Sequence, residues 1–324
     1  MGTLESKKLS IIIPVYNEEA IIPLLRSRLD SVLKKLIFAH EVILVNDGSI
    51  DKTTQLIQDW IQENHTIILL NLSRNFGHQA AISAGLKESQ GNAVVIMDAD
   101  LQDPPELIPQ MLEKWQEGYK IVLAERKSRA ESFLRKILFQ SFYKIFEIMT
   151  DISPVTTGVF GLIDRVVVNH LISMTEHNRY LPGLRHWVGF KQATIRYDRQ
   201  QRAQGKAKQS LRRLLKYGLD AIFSFSYKPL RLSLIFGFII SSFCFIYGII
   251  LTILRILQVN LVSGFTTVAV AIFFLGGIIL MSIGIMGEYI GRIYDEVKHR
   301  PLFLIASKIH RTQSDPHLLE TDYK

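Results

Sequence analysis

The chain has 324 residues, which is enough for one large domain and an appendage. Its net charge is +8 and its pI is near 9.4. Its basic balance suits a phosphate-bearing substrate or an anionic lipid surface, and the sequence carries no nucleic-acid-binding motif. The single cysteine, Cys244, excludes a disulfide framework and a thiolate metal site. Residues 1–10 are polar and carry no apolar signal segment, so we expect the first domain to stay in the cytoplasm.

Short β-branched runs and helix-length segments alternate along the first part of the chain. This alternation predicts an α/β domain built from βαβ units, with a mostly parallel sheet covered on both faces. Ligands of such sheets bind at the carboxyl ends of the strands. The predicted strands are Leu9–Val15, Glu41–Asn46, Thr66–Asn71, Ala93–Met97 and Ile121–Ala124. The predicted helices are Glu18–Leu36, Thr53–Asn64, His78–Ser89 and Pro104–Glu117.

Between Arg126 and about Gln209 the periodic pattern weakens and basic residues become frequent. We predict a helix at Phe133–Met149 and a short strand near Ala193–Tyr197 in this stretch. In the next segment, Ser210–Ser226, apolar residues follow helical spacing and basic residues take the other positions. This pattern predicts an amphipathic helix lying on a membrane surface, with an ordinary helix of a soluble domain as the alternative.

Two uncharged segments near the C-terminus, Leu232–Leu254 and Thr266–Gly287, are each long enough to cross a hydrocarbon core of about 30 Å. A buried helical hairpin in a soluble protein is the alternative. Basic residues flank the pair on both outer sides, so the positive-inside rule predicts a multi-pass plasma-membrane protein with its catalytic domain and both termini in the cytoplasm. The predicted organisation is a catalytic domain (1–209), an amphipathic juxtamembrane helix (210–229), two membrane helices (230–290) and a cytoplasmic C-terminal tail (291–324).

The second apolar segment carries a face of small residues. Such a face favours close helix packing, and here it suggests a homo-oligomer formed through the membrane helices. The residues concerned are Gly276, Gly277, Gly284, Gly287 and Gly291.

An acidic cluster, Asp98-Ala99-Asp100, directly follows the fourth predicted strand. Carboxylates two residues apart can face one site if the backbone turns there. A divalent cation held by them would bridge the oxygens of a diphosphate and neutralise the charge that develops when it leaves. Acidic pairs are also common in loops, and Asp103, just before Pro104, is expected to be a helix N-cap rather than a ligand.

Two more polar clusters follow predicted strands. Pro14–Glu19 ends the first strand, and Val45–Thr53 ends the second, where a plain turn with a helix cap is the alternative. Three such clusters at neighbouring strand ends are predicted to converge on one edge of the sheet. The dinucleotide fingerprint G-x-G-x-x-G is absent after the first strand, which disfavours a nicotinamide or flavin enzyme.

Five ordered motifs together resemble those of glycosyltransferase family 2, and more narrowly the polyprenyl-phosphate glycosyltransferases. That group includes dolichol-phosphate mannose synthase and bacterial undecaprenyl-phosphate glucosyltransferases. The likeness runs from about Ser10 to Arg300, and the two C-terminal spans are similar to the bacterial branch. The motifs are Pro14-x-Tyr-Asn-Glu, Asn46-Asp-Gly-Ser-x-Asp-x-Thr, Ser73-Arg-Asn-Phe-Gly, Asp98-Ala-Asp-Leu-Gln-Asp-Pro-Pro-Glu and Ser224-Phe-Ser-x-x-Pro-Leu-Arg.

The resemblance implies a GT-A fold, inversion at the sugar carbon and a set of site residues. It assigns the base and ribose of the donor to Pro14, Tyr16, Glu18, Val45 and Asp47. It places Asp98 and Ala99 beside the ribose and diphosphate, and it implies Mg²⁺ or Mn²⁺ held by Asp98, Asp100 and Gln102. Arginines and lysines suited to phosphate are Arg126 and Arg129, followed by Arg202 and Lys208 in a basic loop. Asp98, Asp100 and Arg126 are the residues expected to act in catalysis.

The chain departs from the family pattern at three places. Gly158–Leu162 stands where the family often has a polar residue followed by Phe-Arg-Leu, Ala207 replaces a Ser or Thr of the basic loop, and His78 stands where Lys is common. These departures bear on the acceptor contacts and on the preference for the donor sugar. No catalytic base is assigned, because a phosphate monoester is already anionic at neutral pH.

The expected function is transfer of glucose from UDP-glucose to undecaprenyl phosphate in the membrane. GDP-mannose or an aminosugar donor is the alternative for the same acceptor class. A processive polysaccharide synthase is disfavoured, because its Gln-x-x-Arg-Trp motif is represented only by Leu184-Arg-His-Trp and two spans are too few for a channel. A non-catalytic scaffold is disfavoured because Asp100 and Gln102 are present.

Overall fold

The computed structural model describes residues 7–126, 158–177, 179–198, 223, 226–257, 264–312 and 315–323. They form an α/β unit and a separate unit that contains two long apolar helices. The strands are β1 (Lys8–Val15), β2 (Ala39–Asn46), β3 (Ile67–Leu72), β4 (Ala93–Ile96), β5 (Ile121–Arg126), β6 (Gly161–Asp164), β7 (Gln192–Tyr197), β8 (Ile305–Thr312) and β9 (Asp315–Asp322). The helices are α1 (Ile22–Leu33), α2 (Thr53–Glu63), α3 (His78–Glu88), α4 (Ile108–Gln116), α5 (Arg165–Ser173), α6 (Leu181–Trp187), α7 (Lys228–Ile256) and α8 (Phe265–Val297), with a 3-10 turn at Pro105–Leu107.

The described strands form one sheet in the order β7-β5-β6-β4-β1-β2-β3-β8-β9. Its centre, β4-β1-β2-β3, is parallel throughout. The chain runs outward from β1 through β2 to β3 and then returns to the other side of β1 as β4. The strand order therefore reverses between β1 and β4, which is where open α/β sheets bind ligands. The mostly parallel sheet predicted from the sequence is confirmed.

The central strands are buried on both faces, which explains their continuous apolar runs. Leu9, Ile11 and Ile13 of β1 belong to one core together with buried residues of α1, α2 and α4. On the other face, Gly85 of α3 lies so close to β1 that an added Cβ would stand 2.4 Å from Ile12 Cγ2. Helix α3 therefore lies directly on the sheet, and its first residue lies near the edge where β1 and β2 end.

Residues 291–324 do not form the tail that the sequence predicts. Helix α8 continues to Val297, and β8 then pairs antiparallel with β3 and with β9, so this segment extends the catalytic sheet. The strand was not predicted because it lies near the sheet edge. In its described part only Ser307 and Ile309 are buried, and the rest of β8 is largely polar.

Other differences are smaller. Strand β7 confirms the strand predicted near Ala193–Tyr197, whereas β6, α5 and α6 were not predicted. Strand β6 has only four residues and runs antiparallel to both of its neighbours, so it gives little periodic signal. The predicted helices at Phe133–Met149 and Ser210–Ser226 lie outside the described residues, apart from Phe223 and Ser226.

Helices α7 and α8 are candidate membrane spans by length and composition. The apolar stretches Lys228–Ile250 and Val270–Val297 have mean hydropathies of 2.2 and 2.4 and are not buried by protein. The two helices contact each other, with Ser233 Oγ donating to Ser282 Oγ at 2.8 Å. An added Cβ at any glycine of α8 would meet no atom of another described element within 4 Å. No described element therefore packs closely against these glycines. Their predicted role in oligomerisation stays a prediction.

Candidate active site

Four loops follow the parallel strands β4, β1, β2 and β3 and meet at one edge of the sheet. Three of them are the clusters that the sequence predicts to converge: Tyr16 and Glu18 follow β1, Asp47 follows β2, and Asp98 follows β4. The fourth follows β3 and is called here the Ser73–Gly77 loop. The candidate site is the edge that these four loops form.

The loop after β1 is held by side chains of the loop after β2. The Asn17 N–H donates to Ser49 Oγ at 2.9 Å, and the Glu18 N–H donates to Thr53 Oγ1 at 2.9 Å. Asn17 has a positive φ of 52°, a conformation that Asn adopts more readily than most residues. These contacts fix the main chain directly after Tyr16, and Tyr16 itself is 42% exposed at the edge.

Asp47 ties the loop after β2 to the Ser73–Gly77 loop. Its carboxylate is 4% exposed and accepts hydrogen bonds from the N–H groups of Phe76 at 2.7 Å and Gly77 at 2.9 Å. Burial raises the pKa of Asp47 above its ordinary value, although these two hydrogen bonds oppose the shift. In this structure Asp47 therefore fixes the neighbouring loop, and its contact with a donor nucleotide stays a prediction.

The main chain turns sharply after β4. Leu101, which is 1% exposed, holds a positive φ of 57°, and such a conformation costs a non-glycine residue about 1–2 kcal/mol. Asp100 Oδ1 accepts a hydrogen bond from the Gln102 N–H at 3.1 Å, which closes the turn. Asp98 Oδ1 lies 2.8 Å from Nε2 of His78, the first residue of α3. The acidic cluster is therefore a turn rather than an extended segment.

His78 lies close to three carboxylates, two on the loop after β4 and one on the loop after β2. Burial lowers the pKa of its imidazole, but the hydrogen bond to Asp98 and the charges of Asp98, Asp47 and Asp100 raise it more, so the net shift is upward. Its side chain is 44% exposed. These carboxylates therefore favour the protonated, positively charged form of His78.

Asp103 corrects one prediction. The N-cap position of the 3-10 turn is Pro104, and no side chain caps it. Asp103 is 1% exposed and instead accepts a hydrogen bond from the hydroxyl group of Tyr197. Tyr197 also packs edge-on against Phe160, with ring centroids 6.1 Å apart. Asp103 therefore links the acidic turn to β7 rather than capping a helix.

The residues around the acidic turn suit a divalent cation that is shared with a substrate. No group of three or more His, Cys, Asp or Glu side chains with metal-binding geometry occurs within the described residues. Mg²⁺ commonly takes only one or two carboxylates from the protein and completes its shell with substrate phosphates and water. Asp98 and Asp100, two half-buried carboxylates on one turn, match that chemistry.

The remaining predicted residues differ in what they offer a ligand. Pro14, Val45 and Ala99 are buried, so they offer a ligand little exposed surface. Arg126 is the last residue of β5, which runs in the same direction as β4 with β6 between them, so it ends at the same edge. Arg129, Arg202 and Lys208 lie outside the described residues.

Two residues of the edge were not among the predicted site residues. His78 contacts Asp98, and the exposed Arg74 lies over the Phe76 ring at 4.1 Å from its centroid and lowers the pKa of Asp47 by its charge. Both follow β3, and the strand-end rule that found the other three clusters applies to this strand as well.

Comparisons with known proteins agree with this architecture. Residues 10–171 match glycosyl transferase family 2, and residues 228–293 match the GtrB C-terminal hairpin. The uncharacterized glycosyltransferase sll0501 of Synechocystis is 46% identical over 301 residues, 92% of this chain and 95% of its own. The SfII prophage-derived bactoprenol glucosyl transferase of Shigella flexneri is 38% identical over 306 residues, 94% of this chain and 99% of its own.

Among solved structures, the mannosyltransferase PcManGT from Pyrobaculum calidifontis, in complex with GDP-Man and Mn²⁺, aligns with 67% of this chain and 63% of its own at 17% identity and a TM-score of 0.46. The sheet, its strand-end site and the two apolar helices define a transferase with a GT-A-like fold and candidate membrane spans. The chain belongs to glycosyltransferase family 2 and carries the GtrB C-terminal hairpin.

Proposed function

We propose that this protein transfers glucose from UDP-glucose to undecaprenyl phosphate, with inversion at the sugar carbon. The observation that carries the proposal is the likeness to the Shigella bactoprenol glucosyl transferase, which extends over nearly the full length of both chains. The arrangement of the site supports it, since four loops leave an open edge at the strand-order reversal and carry the carboxylates that a diphosphate-bound cation requires.

The reaction needs placement and charge stabilisation more than proton transfer. An oxygen of the lipid phosphate forms a bond to the anomeric carbon, while the bond from that carbon to the donor diphosphate breaks and the nucleoside diphosphate leaves with the electron pair. The second pKa of a phosphate monoester is about 6, so the attacking oxygen is already anionic at neutral pH. Arg126, Arg129, Arg202 and Lys208 are proposed to hold the phosphates.

Asp98, Asp100 and Gln102 are proposed to hold Mg²⁺ or Mn²⁺. When bound, the cation neutralises charge on the departing diphosphate. The proposed task of Asp98 and Asp100 is to place negative charge at the end of β4, where a cation is retained only together with the donor. Protonated His78 is proposed to offset part of the negative charge of this site, because it interacts favourably with Asp98, Asp47 and Asp100.

A donor screen tests the proposed function. Membranes that contain the protein are incubated with radiolabelled UDP-glucose, GDP-mannose and UDP-N-acetylglucosamine, and labelled lipid is extracted and hydrolysed. We expect lipid label from UDP-glucose, which is lost in membranes carrying Asp100→Ala. Lipid label from another donor would overturn the choice of sugar, a long water-soluble polymer would point to a processive synthase, and label from none would contradict catalysis.

The proposed topology, with both termini in the cytoplasm, is supported by the pairing of β8 with β3. Strands β3 and β8 precede and follow the two apolar helices, yet Leu70 pairs with Lys308 in one sheet. A chain that crosses a membrane at α7 and again at α8 returns to the side it left, as this pairing requires.

Cysteine labelling tests the topology. In a Cys244→Ser background, Lys324→Cys should resist a membrane-impermeant maleimide in intact cells and react after permeabilisation. Labelling of Lys324→Cys in intact cells would reverse the assignment.

A further inference from the structure

A row of hydrogen bonds crosses the candidate site from the strand that follows the apolar helices. Asn71 Nδ2 on β3 donates to Ser307 Oγ on β8 at 3.1 Å, and Asn46 Nδ2 on β2 donates to Asn71 Oδ1 at 3.0 Å. Asn46 Oδ1 accepts from the Ser49 N–H at 2.9 Å, and Ser49 Oγ accepts from the Asn17 N–H at 2.9 Å. These five residues, called here the strand-end network, connect β8 to the loop after β1.

Two members of the network are buried in the fold. Asn46 is 5% exposed and Ser307 is 7% exposed. Asn46 makes a further bond, from Nδ2 to Thr54 Oγ1 at 3.0 Å, so both ends of its amide are paired. A buried amide that loses a hydrogen-bond partner keeps the full cost of its desolvation. Conformations that break these hydrogen bonds are therefore unfavourable, and each member holds its neighbours in place.

A second contact joins the same C-terminal segment to the site. The Ser73 N–H donates to the Leu304 carbonyl oxygen at 2.9 Å, at the start of the Ser73–Gly77 loop. The far end of that loop donates to Asp47 through Phe76 and Gly77. The segment after the apolar helices therefore supports the Ser73–Gly77 loop directly, and it reaches the loops after β2 and β1 through Asn71, Asn46 and Ser49.

We infer that Asn71 and Ser307 are positioning residues for donor binding, and that the segment following the second apolar helix is part of the donor-binding machinery. The inference rests on the proposed function for the identity of the donor. Neither residue touches the donor. They act by fixing Asn46, Ser49 and Asn17, and so they set the main chain directly after Tyr16. The donor site is therefore complete only when the chain has returned from its apolar helices.

The test uses the full-length protein in lipid nanodiscs and two variants. Asn71→Leu keeps the branching of the side chain but removes both amide contacts, and Ser307→Ala removes the terminal hydroxyl group. UDP affinity is measured by calorimetry, and amide hydrogen exchange is followed in peptides covering 16–18 and 48–50. We expect UDP affinity to fall about ten-fold for Asn71→Leu and about three- to five-fold for Ser307→Ala, as expected for lost buried hydrogen bonds. Both peptides should exchange faster.

Two controls separate positioning from general loss of stability. Tyr323→Phe removes a hydroxyl group in the same C-terminal segment that donates to Glu88 at 3.0 Å rather than to a member of the network. It should leave UDP affinity and both peptides unchanged, and Ser307→Thr should restore what Ser307→Ala loses. Unchanged exchange in both peptides of Asn71→Leu would overturn the inference, whether or not UDP is the donor. If the native protein does not bind UDP but both peptides still exchange faster in Asn71→Leu, the result would instead count against the proposed donor.

Discussion

Replacing Asp100 by alanine is expected to abolish sugar transfer while the protein stays folded. The carboxylate is half-buried on the turn after β4 and accepts a hydrogen bond from the Gln102 N–H at 3.1 Å within the same turn. Loss of one such hydrogen bond costs about 0.5–1.5 kcal/mol of unfolding free energy, whereas the proposed role of the carboxylate is to supply charge to the departing diphosphate or to hold its cation. Loss of one such electrostatic contact costs on the order of 10²–10³ in rate, and loss of the cation costs more.

The measurement pairs transfer of labelled sugar to lipid with the thermal unfolding midpoint. Asp100→Asn is the informative partner variant, because it keeps an acceptor for the Gln102 N–H but removes the charge. It should be as inactive as Asp100→Ala. Glu117→Ala should keep full activity, because it removes an exposed carboxylate that pairs with Lys114 at the C-terminal end of α4. Full transfer by Asp100→Ala, or by the native protein in excess chelator, would refute the role given to this turn.

The position of the site could be predicted from the sequence because it depends on strand order along the chain. Fully apolar runs such as Ile11–Ile13 mark strands buried on both faces, and the polar residues that follow them must lie at the carboxyl edge of a parallel sheet. Asp47 and Asp98 were placed in this way. No side-chain geometry was needed for that step.

The contacts within the site could not be predicted, because they depend on how separate elements pack. The bond between His78 and Asp98 requires α3 to lie directly on β1, which the glycine at position 85 permits. The contact of Ser307 with Asn71 joins residues on either side of two apolar helices, and β8 shows no periodic signal because it lies near a sheet edge. Sequence spacing carries no information about either pair.

Gly48→Ala is expected to be among the most damaging single substitutions in the chain. Gly48 has a φ of 75°, and a Cβ there would stand 2.7 Å from Asn75 N and 2.8 Å from the Arg74 carbonyl carbon. Both neighbours are main-chain atoms, so the Ser73–Gly77 loop itself would have to move. That movement would separate Phe76 and Gly77 from the buried Asp47 carboxylate, which would keep its desolvation cost without its partners.

A matched control is available at Gly118, whose φ is 95° and where an added Cβ would meet no atom of the described residues within 4 Å. Gly118→Ala should cost only the conformational penalty of about 1–2 kcal/mol in unfolding free energy. Gly48→Ala should cost about 3–5 kcal/mol, since the clash and the loss of Asp47's partners add to that penalty. It should also weaken UDP binding at least ten-fold, whereas Gly118→Ala should not change it. Chemical denaturation and calorimetry on both variants measure the two effects. If the two glycine variants behave alike, the Ser73–Gly77 loop moves freely and the main-chain contact at Gly48 has no part in holding the site.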